Sequence, residues 1–199
     1  MEKLSKEVKQ NRKSDYDIST LILNRWSPRA MTGEEIQNDE LMAIFEAARW
    51  APSSFNNQSW RFIYARRNTE HWDKLLNLMG EFNQTWTKNA AVLIVVISKK
   101  TFDYNGKPAR THSFDTGAAW ENMALEATRR GYVIHGMEGF DYDKAKKDLK
   151  IPDDYTVEAM VATGKRGKKS VLPEGMQDKE VPSQRRPLKE IIMEGEFRA

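Results

Sequence analysis

Hydrophobic positions change their period several times along this chain, and each change marks an element. Asp17 and Ser19 offer caps for a short helix through Leu21, Ile22 and Leu23, which must end near Arg25 because Pro28 follows. From Asn38 or Asp39, Leu41, Ile44, Phe45 and Ala48 repeat at helical spacing until Pro52 stops them. Arg61 to Ala65 alternates like a strand. Thr69 then caps a helix carrying Trp72, Leu75, Leu76 and Met79 on one face and closed by Gly80. The stretch Ala91–Ser98 is continuously apolar, as a strand covered on both faces would be. Phe114–Arg130 predicts the longest helix, with so little polar face that several neighbours should cover it; Gly131 ends it. A short strand at Tyr132–Ile134, an Asp141-capped helix to Leu149 and an alternating strand at Tyr155–Ala162 follow. In that last strand Val157, Ala159 and Val161 share one side, which predicts one buried and one polar face. Residues 164–182 read as an extended crossing, and Ile191–Phe197 as a final strand.

Strands and helices in this order predict one α+β layer structure with a mixed central sheet flanked by helices, and neither repeats nor an interdomain linker interrupt it. The chain, 199 residues long, divides into a polar arm at 1–16, expected to fray, and a single domain at 17–199. Trp50, Trp72 and Trp120 fall on packing faces of helices and are expected in the core. Trp60 and Trp86, beside polar clusters, are the expected walls of a groove.

Cysteine is absent, which excludes disulfides, thiolate metal sites and a cysteine nucleophile. The formal charge is only +3, and Lys3, Lys6, Lys9, Arg12 and Lys13 against Glu2 and Glu7 account for all of it. The run Lys165–Lys169 has no interleaved aromatic residue, so a nucleic-acid partner is a remote alternative and none is expected. The longest apolar run, Ala90–Ile97, is far short of the ~20 residues of a membrane helix, and no secretory leader is expected in residues 1–20. The chain is expected to be cytoplasmic, away from membranes. His71, His112 and His135 lack metal-ligand spacing, so no metal is expected.

Three clusters can carry chemistry. Arg25-Trp26-Ser27-Pro28-Arg29 puts two guanidiniums and a hydroxyl within reach of one phosphate. Pro52 to Trp60, which includes Ser53, Ser54, Asn56, Asn57 and Gln58, is dense in neutral donors and acceptors of the kind that read a heterocycle's edge. Gly136-Met137-Glu138-Gly139-Phe140-Asp141 allows close backbone approach to a flat ligand next to a helix start.

In this order, with Asn83-Gln84 and Trp86 before an apolar strand and Arg185-Arg186-Pro187-Leu188 near the end, the clusters resemble the flavin-dependent nitroreductase family over roughly residues 18–193. The resemblance implies a domain-swapped homodimer with FMN in grooves shared by both chains. It implies NADH or NADPH as electron donor and ping-pong hydride transfer to a nitroaromatic, quinone or similar small electron-poor acceptor. Enone reduction, reductive dehalogenation or flavin-consuming chemistry on the same fold is the alternative. Carried over by position, Arg25, Trp26, Ser27 and Arg29 would meet the phosphate, ribityl and pyrimidine side of FMN, with Arg185 and Arg186 adding charge at the phosphate. Pro52, Ser53, Ser54 and Asn56 would come from the partner, and Asn83 would touch the flavin's polar edge. Gly136 and Met137 would lie against one ring face while the N–H groups of Glu138 and Gly139 point at N5 and O4. No side chain is singled out as catalytic, since the flavin carries the reaction. Ser59 stands where the family more often has Pro, which is expected to loosen the loop. Trp26 replaces a second basic residue, which shifts phosphate binding toward Arg185.

Overall fold

The structure, a computed structural model, describes residues 3–198; Met1, Glu2 and Ala199, at the outer limits of the expected arm and domain, lie outside the described residues. Eleven-residue β4 (Tyr155–Lys165) occupies the interior of a four-stranded sheet, between β2 (Val92–Lys99) and β3 (Tyr132–Met137), with β1 (Trp60–Arg66) on the far side of β2. All neighbouring pairs are antiparallel, so the expected mixed sheet is corrected. The reason is insertion: β2 and β3 run the same way, joined by helix α6 (His112–Arg129), and β4 is threaded between them.

Alternation along β2 divides the core. Leu93, Val95 and Ile97 point to one face of the sheet, and Val92, Ile94 and Val96 to the other. The first face is closed by α4 (Trp72–Leu76), α5 (Glu81–Thr87) and α7 (Tyr142–Asp148), with Trp72, Leu75, Trp86 and Ala145 buried against it. The second is covered by α3 (Asn38–Arg49) and α6, which press Leu41, Ile44, Ala48, Ala119, Met123 and Ala124 together. Small residues on α6 let α3 and the sheet approach from two sides, as its narrow polar face anticipates.

Several expectations change. Trp60 and Trp86 are core residues, one on each face, whereas Trp50 is 72% exposed at the C-terminal end of α3. Gly80 does not close a helix; it is the N-cap of α5, an additional helix, and the N-cap of α4 is His71 rather than Thr69. β4 is covered on both faces over Met160–Gly164, because a central strand has no solvent side. Residues 191–197 form no strand: a strand needs a neighbouring ladder, and Ile191, Ile192 and Phe197 lie exposed instead. Ser59 tightens its loop, since its Oγ accepts from Asn57 Nδ2 at 2.9 Å and its carbonyl from Lys99 N.

The arm expected to fray carries α1 (Lys6–Asn11), capped by Ser5 Oγ and anchored by buried Val8. Arg12 then staples three segments. Its Nη1 donates to the carbonyls of Leu23 (2.7 Å) and Arg25 (2.8 Å) beyond α2 (Thr20–Asn24), and its Nε donates to Ser183 O (2.9 Å).

Candidate functional site

A cavity of about 510 Å³ opens on the α6 face of the sheet, within the ordinary size of a small-molecule site. Thr116, Gly117, Trp120 and Glu121 line it from α6, Gly136, Met137 and Glu138 from the end of β3, and Glu158, Ala159 and Val161 from β4. Arg25 and Ser27 close one end, Ser113 and Tyr142 other parts of the wall. Arg25, Ser27, Gly136, Met137 and Glu138 thus converge as the sequence pattern anticipates.

The remaining expected residues have different places. Trp26 turns away into a separate depression, where the Arg166 guanidinium stacks 4.9 Å from its ring centre. The backbone N–H of Arg29 donates to Glu180 Oε1 (2.9 Å), and its side chain does not line the cavity; its Nε is buried without a hydrogen-bond partner. Asn83 donates from Nδ2 to Gly139 O at 2.9 Å and accepts from Trp86 Nε1, so it holds the 138–141 turn from outside. Met137 also sinks into the first core cluster. Pro52, Ser53, Ser54 and Asn56 do not line the cavity. Their loop holds Phe55, Asn56 and Gln58 at positive φ, a costly conformation for side-chain residues. It is pinned by Gln58 N to Ser53 Oγ (3.0 Å) and by Ser54 N to Asp115 Oδ2 (3.0 Å). Phe55 projects outward against Phe102 and Tyr104.

Arg185 and Arg186 line a second cavity of about 590 Å³ that shares Arg25 with the first. Burial, together with the charges of Arg185 and Arg25, pulls the Arg12 guanidinium down to about 10, the mark of cations crowded with too little compensation. Arg25 has one ion-pair partner, Glu121, at 3.4 Å, and its Nε is buried without a hydrogen bond. The basic run at 165–169 is partly spent inside the molecule: Lys165 pairs with Glu34 at 2.7 Å, and Arg166 with fully buried Glu180.

Two features make the cavity receptive. Thr116 is only 2% exposed, yet its hydroxyl has no partner. The N–H groups of Glu138 and Gly139 donate no hydrogen bond within the described residues. Gly136 lets the strand pass close to Trp120, since a Cβ there would sit 3.2 Å from its ring.

Sequence reasoning missed Thr116, Trp120 and Glu158. Glu158 is the extra residue of a bulge: Val96 pairs with Ala159 and Ile97 with Val157, so Glu158 has no opposite number. It turns toward the cavity, where Oε1 accepts from Ser113 Oγ (2.7 Å) and from Ser98 Oγ, whose oxygen also lies 2.7 Å from His112 Nδ1. Burial, then the charges of Glu138 and Glu158, raises the Tyr142 hydroxyl above its usual range. The cavity is therefore acidic at this end and basic at Arg25.

This fold and cavity define an α+β layer protein with a small-molecule site on one face of its sheet, and the comparisons make that specific. The nitroreductase family model matches residues 22–84 and 73–165. Protein DrgA of Synechocystis is 32% identical over 154 residues, 64% of this chain and 73% of its own. A solved oxidoreductase containing FMN is 45% identical, with a TM-score of 0.90 over 94% of this chain and 96% of its own. An FMN-dependent nitroreductase from Clostridium difficile is 26% identical, with a TM-score of 0.60 over 72% of this chain and 84% of its own. The chain belongs to the nitroreductase family of oxidoreductases. No helix among the described residues is long and apolar enough to cross a membrane.

Proposed function

We propose that this chain binds FMN and passes hydride from NADH or NADPH to a small electron-poor acceptor such as a quinone or nitroaromatic. The observation that carries the reading is the pairing of unspent donors with one cavity: among the described residues the Thr116 hydroxyl and the Glu138 N–H make no hydrogen bond, and Arg25 beside them meets only Glu121, at 3.4 Å. The oxidoreductase that is 45% identical contains FMN, which supports the same occupant here.

Arg25 and Ser27, with Arg185 and Arg186 beyond them and Arg12 behind, would hold the phosphate, whose oxygens suit forked guanidiniums. Gly136 and Met137 would floor the ring, and the Glu138 and Gly139 N–H groups would meet its polar edge. Arg29 and Trp26 would support this wall from behind, and Asn83 would fix the turn. When bound, FMN supplies the hydride chemistry; the chain binds, orients and shields it. Pro52, Ser53, Ser54 and Asn56 would reach a cofactor only from a second copy, which is the reason to propose a homodimer. The exposed rings of Phe55 and Tyr104 beside that loop support a covered surface there.

One open face of the ring must serve donor and acceptor in turn, so ping-pong kinetics are expected. The purified protein should be yellow, with FMN released on denaturation, and NADH against 1,4-benzoquinone should give parallel double-reciprocal lines. Colourless protein that takes up no added FMN would overturn the cofactor; intersecting lines would overturn the shared face.

A further inference from the structure

Reduction of a quinone or nitro group consumes protons as well as electrons, and nothing above supplies them. The bulge on β4 places a carboxyl in the cavity wall with an unusual set of partners. Both Ser98 and Ser113 donate to the same oxygen, Oε1, and Oε2 accepts no hydrogen bond within the described residues. Ser98 is fully buried and has one proton, already directed at Glu158. Its 2.7 Å contact with His112 Nδ1 therefore requires that Nδ1 carry a proton and donate it to Ser98 Oγ. The result is an ordered chain, His112 Nδ1–H to Ser98 Oγ–H to Glu158 Oε1, drawn from α6, β2 and β4.

We propose that Glu158 is the acid that protonates the acceptor and that Ser98 and His112 reload it. The proposal rests on the oxidoreductase reading above. For a quinone, the hydride chemistry that bound FMN would supply accounts for both electrons and one hydrogen, and the second hydrogen must come as a proton. The Glu158 O–H bond breaks, its electron pair stays on the carboxylate, and a new O–H bond forms on the acceptor, giving the hydroquinone. Ser98 then passes its proton to Glu158 and takes one from the His112 imidazolium, which is left neutral and is reprotonated from water. Charges balance at each transfer, and the bulge explains why a carboxylate stands at this point of an otherwise apolar central strand. The orphaned hydroxyl of Thr116 on the same wall independently marks this cavity as one built for a polar guest. The groups facing Glu158 are Ser98 of β2 and His112 and Ser113 of α6, with Tyr142 of α7 and Glu138 of the turn on the same cavity wall.

The test mixes flavin-loaded, NADH-reduced enzyme rapidly with 1,4-benzoquinone across pH 5–9. Glu158→Gln should slow acceptor reduction about a hundredfold, at unchanged FMN content and unchanged KM, and should flatten its pH profile. Ser98→Ala should keep the rate at acid pH and lose it at alkaline pH, where reloading from His112 matters most. A wild-type rate and profile in Glu158→Gln would overturn the proposal. Imidazole NMR supplies a readout that needs no activity. The Nδ1 of His112 should carry a hydrogen-bonded proton in the wild type, and its nitrogen signal should shift in Ser98→Ala, which removes the acceptor; an Nδ1 without a proton, or a signal unmoved by Ser98→Ala, would overturn the relay even in protein that binds no flavin. Should Glu158→Gln not fold, His112→Gln must reproduce the alkaline loss seen with Ser98→Ala, and its absence would equally sink the idea. A failure of the FMN reading shows instead as colourless protein, so the two failures are distinguishable.

Discussion

The two faces of the central sheet are built from the same strands and end with opposite characters. Beneath α4, α5 and α7, Leu93, Val95, Ile97, Met160 and Trp86 form a closed apolar layer. Beneath α3 and α6, the layer is equally tight around Ile44, Ala48, Met123 and Ile94, but gives way to a cavity where Trp120, Thr116 and Glu158 stand. On the sealed face Trp86 Nε1 donates to Asn83 Oδ1 at 3.2 Å. On the open face, Thr116 keeps an unpartnered hydroxyl and Glu158 an unpartnered oxygen. Stability is concentrated on one side and unspent bonding capacity on the other, and a ligand is what the second side lacks.

Truncation is the strongest way to test that division. Trp86→Ala, on the sealed face, should cost about 3–5 kcal/mol of folding stability by urea titration, as a buried Trp with a cavity left behind does. Trp120→Ala, on the open face, should cost about half of that or less, because the ring already borders a cavity, and should instead weaken FMN retention. Equal folding costs would erase the distinction between the faces.

Charge at the mouth of the cavity comes next. Replacing Arg25 and Arg185 together by Ala should leave a folded protein whose FMN affinity falls by about a thousandfold, roughly 4 kcal/mol for two lost charge-assisted contacts. Arg12→Ala should weaken it less, since that guanidinium already donates to the carbonyls of Leu23, Arg25 and Ser183. Undiminished FMN content in the double variant, read from the spectrum of the purified protein, would place the phosphate elsewhere.

Much of this was legible from residue order, and the misses share a physical cause. Periodicity gave β2 and α6 because their burial repeats without interruption. It could not give Glu158, since Val157, Ala159 and Val161 look like one face of a strand. The bulge at Glu158 breaks that register, and Val157 packs against the first cluster while Val161 packs in the second. Neighbours in sequence misled for the tryptophans. Trp60 and Trp86 sit beside polar residues along the chain but point into the core, whereas Trp120, on a helix read as buried, borders the cavity. The phosphate-like cluster at Arg25 was plain, but its reinforcement by Arg12, and the hold of Glu180 on Arg29 and Ala30, join positions more than a hundred residues apart or lie in a segment of featureless polarity. Local pattern has no term for such closures.

His135 offers the finest probe of the comparison, because it is a deeply buried titratable group of the sealed face. It lies on β3 opposite Ala162, its ring 4.7 Å from that of Trp86, with Nδ1 3.2 Å from Pro28 O. Burial, and after it the charge of Arg29, pulls its pKa down to about 4, against the opposing pull of Pro28 and Ser27 carbonyls and Glu180. A neutral imidazole in the folded state must be charged less readily than in the unfolded chain, where it titrates near 6.5. The unfolded chain therefore binds the proton first: the full contribution to stability is present above about pH 6.5 and is lost as pH falls toward 4. The loss attributable to this one group is up to about 3 kcal/mol. Urea titrations at pH 7.5 and 4.5 should show it, and His135→Gln, which cannot titrate, should be less stable at the higher pH yet lose less between the two. An acid limb left unchanged in His135→Gln would mean that the buried ring beside Trp86 is not the group that titrates there.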